Sequence, residues 1–166
     1  MPDSAHEKLW QLIQKHRFAM LTTREAGDVL RSRPMTTIER EYDGSLWFFA
    51  KADSDTVHAI EREAQVCLAY ADSGAMEFVS VGGSASIDTD VGHKRSLWNK
   101  GVQAWFPEGP ESSANVLIGV AAEHAEYWDA TQSRFVRLFS IARALATDEP
   151  PRDMGEHHSI ELGARR

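Results

Sequence analysis

Along the chain, short apolar runs alternate with polar turns, and only a few stretches carry helical spacing. Leu9, Leu12, Ile13 and His16 recur at three- and four-residue intervals, which predicts a first helix over residues 4–16. Ser4 and Glu7 at its start have the spacing of a capping box. Strands are predicted over residues 18–23, 29–37, 45–50, 65–71, 76–87, 116–128 and 134–139. Turn residues separate them at 25–28, 42–44 and 72–74. A second helix comes after the strand 45–50, capped by Asp53 or Ser54 and turning Val57 and Ile60 inward. A third opens at Thr89 or Asp90 with Leu97 and Trp98 on its inner side. Gly82 and Gly83 interrupt a long strand, where a bulge or sharp bend is expected. Residues 101–115, with Gly101, Pro107, Gly109 and Pro110, read as a loop able to carry function. A short helix after the last strand is expected to reach about residue 146.

Many short strands with few helices make the chain mostly β: an antiparallel barrel with peripheral helices. At 166 residues it is expected to form one domain over 1–146, with a polar, mobile tail over 147–166. Composition adds mainly exclusions. Lys+Arg number 18 against Asp+Glu 25, a net charge of −7, which disfavours nonspecific binding of nucleic acid or an anionic membrane. No apolar run approaches the roughly 18 residues of a membrane span, and no basic-then-apolar leader opens the chain, so a cytoplasmic location is expected. A single cysteine, Cys67, excludes an internal disulfide and a zinc–cysteine cluster; its apolar setting between Val66 and Leu68 predicts a buried, inert thiol. The histidines match no metal-ligand spacing, so no metal is expected. No nucleophile triad can be assembled, and no side chain stands out as a general acid or base. Trp47, Trp98 and Trp128 are expected in the core.

The chemistry concentrates on the strand 29–37 and on the segment just after the strand 45–50. Arg31, Arg33, Met35 and Thr37 share one strand face; Leu30, Ser32, Pro34 and Thr36 share the other. Two arginines beside a proline that cannot donate a ladder bond leave two readings open: an edge strand with solvated arginines, or a site for an anion. The sequence Arg33-Pro34-Met35, then Trp47-Phe48-Phe49, then Ser54-Asp55-Thr56-Val57, then Trp105-Phe106-Pro107, resembles the FMN-binding split-barrel superfamily in order and spacing. That superfamily includes pyridoxamine 5'-phosphate oxidase, and the nearest resemblance within it is to the bacterial general stress proteins. The resemblance spans about residues 5 to 140.

It implies an antiparallel split β-barrel and a homodimer with two flavin sites at the interface. Matched to the oxidase, Arg33 falls on the phosphate-binding arginine, with Arg31 and Lys51 as further cations. Backbone groups from Ser32 through Pro34 and Met35 would meet the ring edge, beside Phe48, Phe49 and Ala50. The helix start over Ser54, Asp55, Thr56 and Val57 would meet the phosphate. Phe78, Trp105 and Phe106 would reach the flavin from the second subunit; the alternatives are that Trp105 and Phe106 pack the dimer interface and that Phe78 belongs to a core strand. One departure stands out: Asp55-Thr56 replaces an Arg-Lys pair, which leaves FMN or FAD open as the cofactor. The oxidase's substrate-binding C-terminal segment has no counterpart, so pyridoxamine phosphate oxidation is not expected. Two functions remain: a flavin-dependent redox protein reduced by a donor such as NAD(P)H, or a flavin-binding or flavin-sensing dimer without turnover.

Overall fold

The computed structural model describes residues 4–38, 44–129 and 156–162. The elements run α1 (Ser4–His16), β1 (Phe18–Arg24), β2 (Leu30–Thr36), β3 (Ser45–Lys51), α2 (Asp55–Arg62), β4 (Gln65–Asp72), β5 (Glu77–Asp88), α3 (Val91–Leu97), α4 (Lys100–Trp105), β6 (Asn115–Asp129) and β7 (Glu156–Glu161). The strands form one antiparallel seven-stranded sheet in the order β2-β1-β4-β5-β6-β3, with β7 added to β6. The expected strand 134–139, the helix to 146 and the turn residues Tyr42 and Asp43 lie outside the described residues.

Strand alternation builds the core. Ala19, Leu21 and Thr23 of β1 point inward and are buried, as do Leu46, Phe48 and Ala50 of β3. Leu68 and Tyr70 of β4, Val79 and Val81 of β5, and Ile118 and Val120 of β6 complete the interior. Leu9, Leu12 and Ile13 of α1 and Val57 and Ile60 of α2 join the same cluster, so both helices cover the barrel's inner side. Glu77 and Asp129 face each other across β5 and β6, a repulsive pairing. α1 neutralises it: Lys8 meets Asp129 at 2.5 Å and Lys15 meets Glu77 at 2.7 Å.

The expected bend is present. The β5–β6 register shifts between Gly82 and Gly83, so Gly82 faces His124 and Gly83 faces Ala122, leaving Glu123 as the extra residue. A Cβ on Gly83 would lie 2.1 Å from the Ala121 carbonyl oxygen, so only glycine fits. The freed Glu123 carbonyl accepts from the Leu162 N–H at 2.8 Å.

Two expectations need correction. Residues 156–161, inside the segment read as a mobile tail, form β7, paired with β6 from His124 to Asp129. β3 ends its pairing at Ala121, so the second half of that β6 edge needs another partner, and Ile160 buries its side chain there. Residues 101–115 are not all loop, since Lys100–Trp105 is helical. Asn99 caps it by accepting from the Gly101 and Val102 N–H groups, which offsets a glycine's poor helix propensity. The rest of that loop is held by Lys94, whose buried ammonium donates to the Ser112 and Asn115 carbonyls and the Asn115 side chain.

Alternation also places two residue types that the sequence put in the core. Cys67 points outward and is half-buried, 3.6 Å from the Ser80 hydroxyl, because Val66 and Leu68 take the inward positions. Trp47 and Trp98 are half-buried in a second cluster, and Trp128 is exposed on the outer face. Among the described residues no helix is long and apolar enough to cross a membrane.

Ile160→Ala should cost about 2–4 kcal/mol of unfolding free energy, as for other buried aliphatic truncations. Urea denaturation measures it; a loss below about 0.5 kcal/mol would mean that β7 adds nothing to the core.

Candidate functional site

β2 and β3 are the two ends of the strand order. No ladder joins them among the described residues; one long bond, Ile38 N–H to the Trp47 carbonyl at 3.4 Å, bridges the gap. The barrel is therefore split there, and the predicted site residues line that seam.

Register decides which way β2 points. Arg31, Arg33 and Met35 pair with Thr23, Leu21 and Ala19, so they share the inward face. Thr37 continues it and bonds the Tyr70 hydroxyl at 2.8 Å in the interior. Ser32 and Pro34 face outward with Leu30 and Thr36. β2 is an end strand, as one reading held, but its arginines are not freely solvated. Arg33 Nη2 donates to Glu25, and Asp55 of α2 lies 3.8 Å away. Arg31 Nε reaches the other oxygen of Glu25 at 3.3 Å. The bond from Arg33 holds the Glu25 carboxyl below the usual carboxylate range; burial opposes this, and the charges of Arg31, Arg33 and Arg62 reinforce it. Arg33 Nη1 is buried and has no hydrogen-bond partner among the described residues.

The helix start is partly engaged as well. Ser54 caps α2 and accepts from the Val57 N–H at 3.4 Å. Asp55 occupies the first turn, where a negative charge suits the helix dipole. Thr56 and Val57 are buried, so their side chains do not face the seam's solvent. Lys51 is exposed at the end of β3, and among the described residues no ion pair holds it. For a phosphate-bearing group the donor set is thus partial: among the described residues Arg33 Nη1 has no hydrogen-bond partner and the exposed Lys51 no ion pair, while Arg31 Nε and Arg33 Nη2 are engaged by Glu25 and Asp55.

Phe48 is fully inside the core, leaving only its backbone for a ligand, and Ala50 packs beside it. Phe49 points the opposite way, edge-on to Trp98 at 5.1 Å and tilted against Phe106 at 5.9 Å. α3 and α4 cover this outer side of β3 and the first half of β6. Phe78 lies elsewhere: it is on β5, three strands from β2 and two from β3 in the strand order. Trp105, at the end of α4, is 80% exposed. One chain therefore gathers Arg31, Arg33, Met35 and the 51–57 segment, and leaves Phe78 and Trp105 away from them.

Glu25 was missed because Glu25 to Asp28 reads only as a turn. Its N–H bonds the Val29 carbonyl at 2.7 Å, closing the hairpin and bringing it beside Arg31 and Arg33. A carboxylate at the closure of a hairpin whose second strand carries two arginines was the available signal.

An open antiparallel sheet rolled on itself, with a seam between its end strands and helices at the periphery, defines the split-barrel class. The sequence profile of the family described as pyridoxamine 5'-phosphate oxidase like matches residues 4–152, and the chain belongs to that family. Among solved structures it resembles the general stress FMN/FAD binding protein of Xanthomonas citri, 32% identical with a TM-score of 0.68, covering 76% of this chain and 89% of that one. A candidate general stress protein 26 from Jannaschia sp. CCS1 is 25% identical with a TM-score of 0.74, covering 97% and 99%. Protein bli-3 of Neurospora crassa is 26% identical over 158 residues, 89% of this chain and 76% of that protein. The resemblance to general stress proteins and the split-barrel fold are thus both upheld.

Because its pKa is depressed on folding, Glu25 contributes stability that is complete above the unfolded value of about 4.3 and lost as pH falls through the lower folded value. Glu25→Gln should therefore be less stable than wild type at neutral pH, with the gap closing as pH falls below the ordinary carboxylate range. Denaturant midpoints across that range measure it; a gap that persists in acid would mean that the pairing is not ionic.

Proposed function

We propose that this protein is a cytoplasmic homodimer that binds a flavin at the β2–β3 seam and uses it in redox chemistry, with FMN or FAD as the cofactor and NAD(P)H as the electron donor. The observation that carries the reading is Arg33 Nη1: a buried guanidinium N–H with no partner among the described residues, at a seam flanked by a helix start. Such a donor suits an oxygen acceptor on a flavin's tail. The relative described as FMN/FAD binding supports the choice of ligand.

The division of the candidate residues supports the dimer. Phe78 and Trp105 lie away from the seam of their own chain, so they would serve the seam of a second copy. The sheet face left bare by the helices has the composition of an interface. Phe18 (69% exposed), Met20 (42%) and Leu30 (66%) stand on it, together with Pro34, Ala69 and Trp128. When bound, the flavin supplies the electron chemistry; the chain's own part is to hold and orient it and to exclude water. No side chain at the seam is placed as a general acid or base, so no catalytic residue is assigned.

Light scattering should give twice the 18.6 kDa chain mass. Met20→Glu, which puts a charge on the bare face, should shift the protein toward monomer; a monomeric wild type at micromolar concentration would refute the shared site. Flavin titration followed by fluorescence tests the ligand. Arg33→Ala should weaken FMN binding by about tenfold or more, the worth of one charge-assisted hydrogen bond, and Arg31→Ala by less. Equal losses would place the tail elsewhere. Steady anaerobic reduction by NAD(P)H separates turnover from binding alone.

A further inference from the structure

We infer that Glu25 and Asp55 set the cofactor specificity of the seam by occupying the charge that a terminal phosphate would need, so that FMN gains little over riboflavin; this rests on the flavin reading above. Among the described residues two cations of β2, Arg31 and Arg33, face two carboxylates there, while Lys51 at the end of β3 is exposed and held by no ion pair. Arg33 Nη2 already donates to Glu25 and stands 3.8 Å from Asp55, while Arg31 Nε holds the other Glu25 oxygen at 3.3 Å. Arg62, whose charge also reaches Glu25, is directed elsewhere: it donates to the Arg24 carbonyl at 3.4 Å.

A phosphate monoester carries about −1.5 to −2 charges at neutral pH. Brought to Arg33, it would meet the two open N–H bonds of Nη1 and two carboxylates of like sign. The helix start offers little compensation, because Ser54 takes the Val57 N–H and Asp55 already answers the dipole. Attraction from the open N–H bonds and repulsion from the carboxylates offset each other. A ribityl hydroxyl meets no such repulsion: it can accept from Nη1 and donate to Glu25 or Asp55. A phosphate in a diphosphate ester, with one charge, lies between the two.

The test titrates FMN and riboflavin, by flavin fluorescence at low and high salt, into wild type, Glu25→Gln and Asp55→Asn, each confirmed folded by circular dichroism. In wild type the two affinities should agree within about threefold. Glu25→Gln should tighten FMN by about tenfold or more while moving riboflavin by less than about threefold, and the gain should shrink as salt rises. Asp55→Asn should shift FMN in the same direction by less, since that carboxylate is farther and largely exposed. Riboflavin binding with FMN flat in both variants overturns this inference and leaves the flavin reading intact. Equal gains for both ligands also overturn it, because Glu25 would then act on the ring or the fold. Failure of all three folded proteins to bind either flavin removes the flavin reading, and this inference with it. If Glu25→Gln does not fold, Asp55→Asn decides by the same outcomes, since its side chain is 79% exposed.

Discussion

The structure depends on β6 having to satisfy three neighbours at once. One edge pairs with β5 from Leu117 to Asp129; the other serves β3 as far as Ala121 and β7 from His124. A strand that changes partners midway must bend there, and the residue that absorbs the bend is Glu123. The two glycines opposite, Gly82 and Gly83, make the bend sterically possible. Because β3 is bound to β6 along its full length and β2 to β1, the sheet closes around its core without a ladder between its ends. The seam thus follows from strand pairing, and the polar groups lining it were never part of the core.

That geometry explains why one strand can carry both core and site residues. The inward face of β2 begins at the barrel rim with Arg31 and Arg33 and passes to Met35 and Thr37, with Thr37 fully inside. A lone arginine at Arg33's depth would be costly, since partial burial removes water without supplying counter-charge. Glu25 arrives by hairpin closure and Asp55 by the first turn of α2, so two local events neutralise it before any ligand is needed. Exposed pairs of this kind contribute little individually, but one carboxylate bridging two guanidinium groups also fixes their orientation.

Much of this was legible from residue patterns. The alternation in β1, β3 and β4, the helical spacing of α1, and the glycine pair on β5 each have a direct physical cause in the sequence, and the structure agrees with them. What escaped has causes too. β7 carries a single buried aliphatic, Ile160, among charged and polar residues, and its pairing is dictated by an unfilled edge more than a hundred residues from the start of the barrel. Such a strand has no period of its own. α4 escaped because Gly101 and Pro107 read as loop residues, whereas the Asn99 cap decides the local structure. Thr56, expected with the rest of the helix start to meet a phosphate, sits on the helix face turned to the core, beside Val57. Glu25 escaped because ion pairing is a property of tertiary placement, and its one trace in the sequence is a carboxylate at the closure of a hairpin whose second strand carries two arginines.

The same pairing that stabilises the seam opposes an anionic ligand there. Folding and binding draw on one guanidinium: each hydrogen bond that Arg33 gives Glu25 is one it cannot give a phosphate. In a site with surplus cations the unliganded state is strained by repulsion, and ligand binding relieves it. Among the described residues Glu25 already bridges Arg31 and Arg33, so an anionic tail that used the open Nη1 of Arg33 would still stand beside that carboxylate. At the proposed site, discrimination would therefore come from what the chain places against a ligand as much as from what it offers to it.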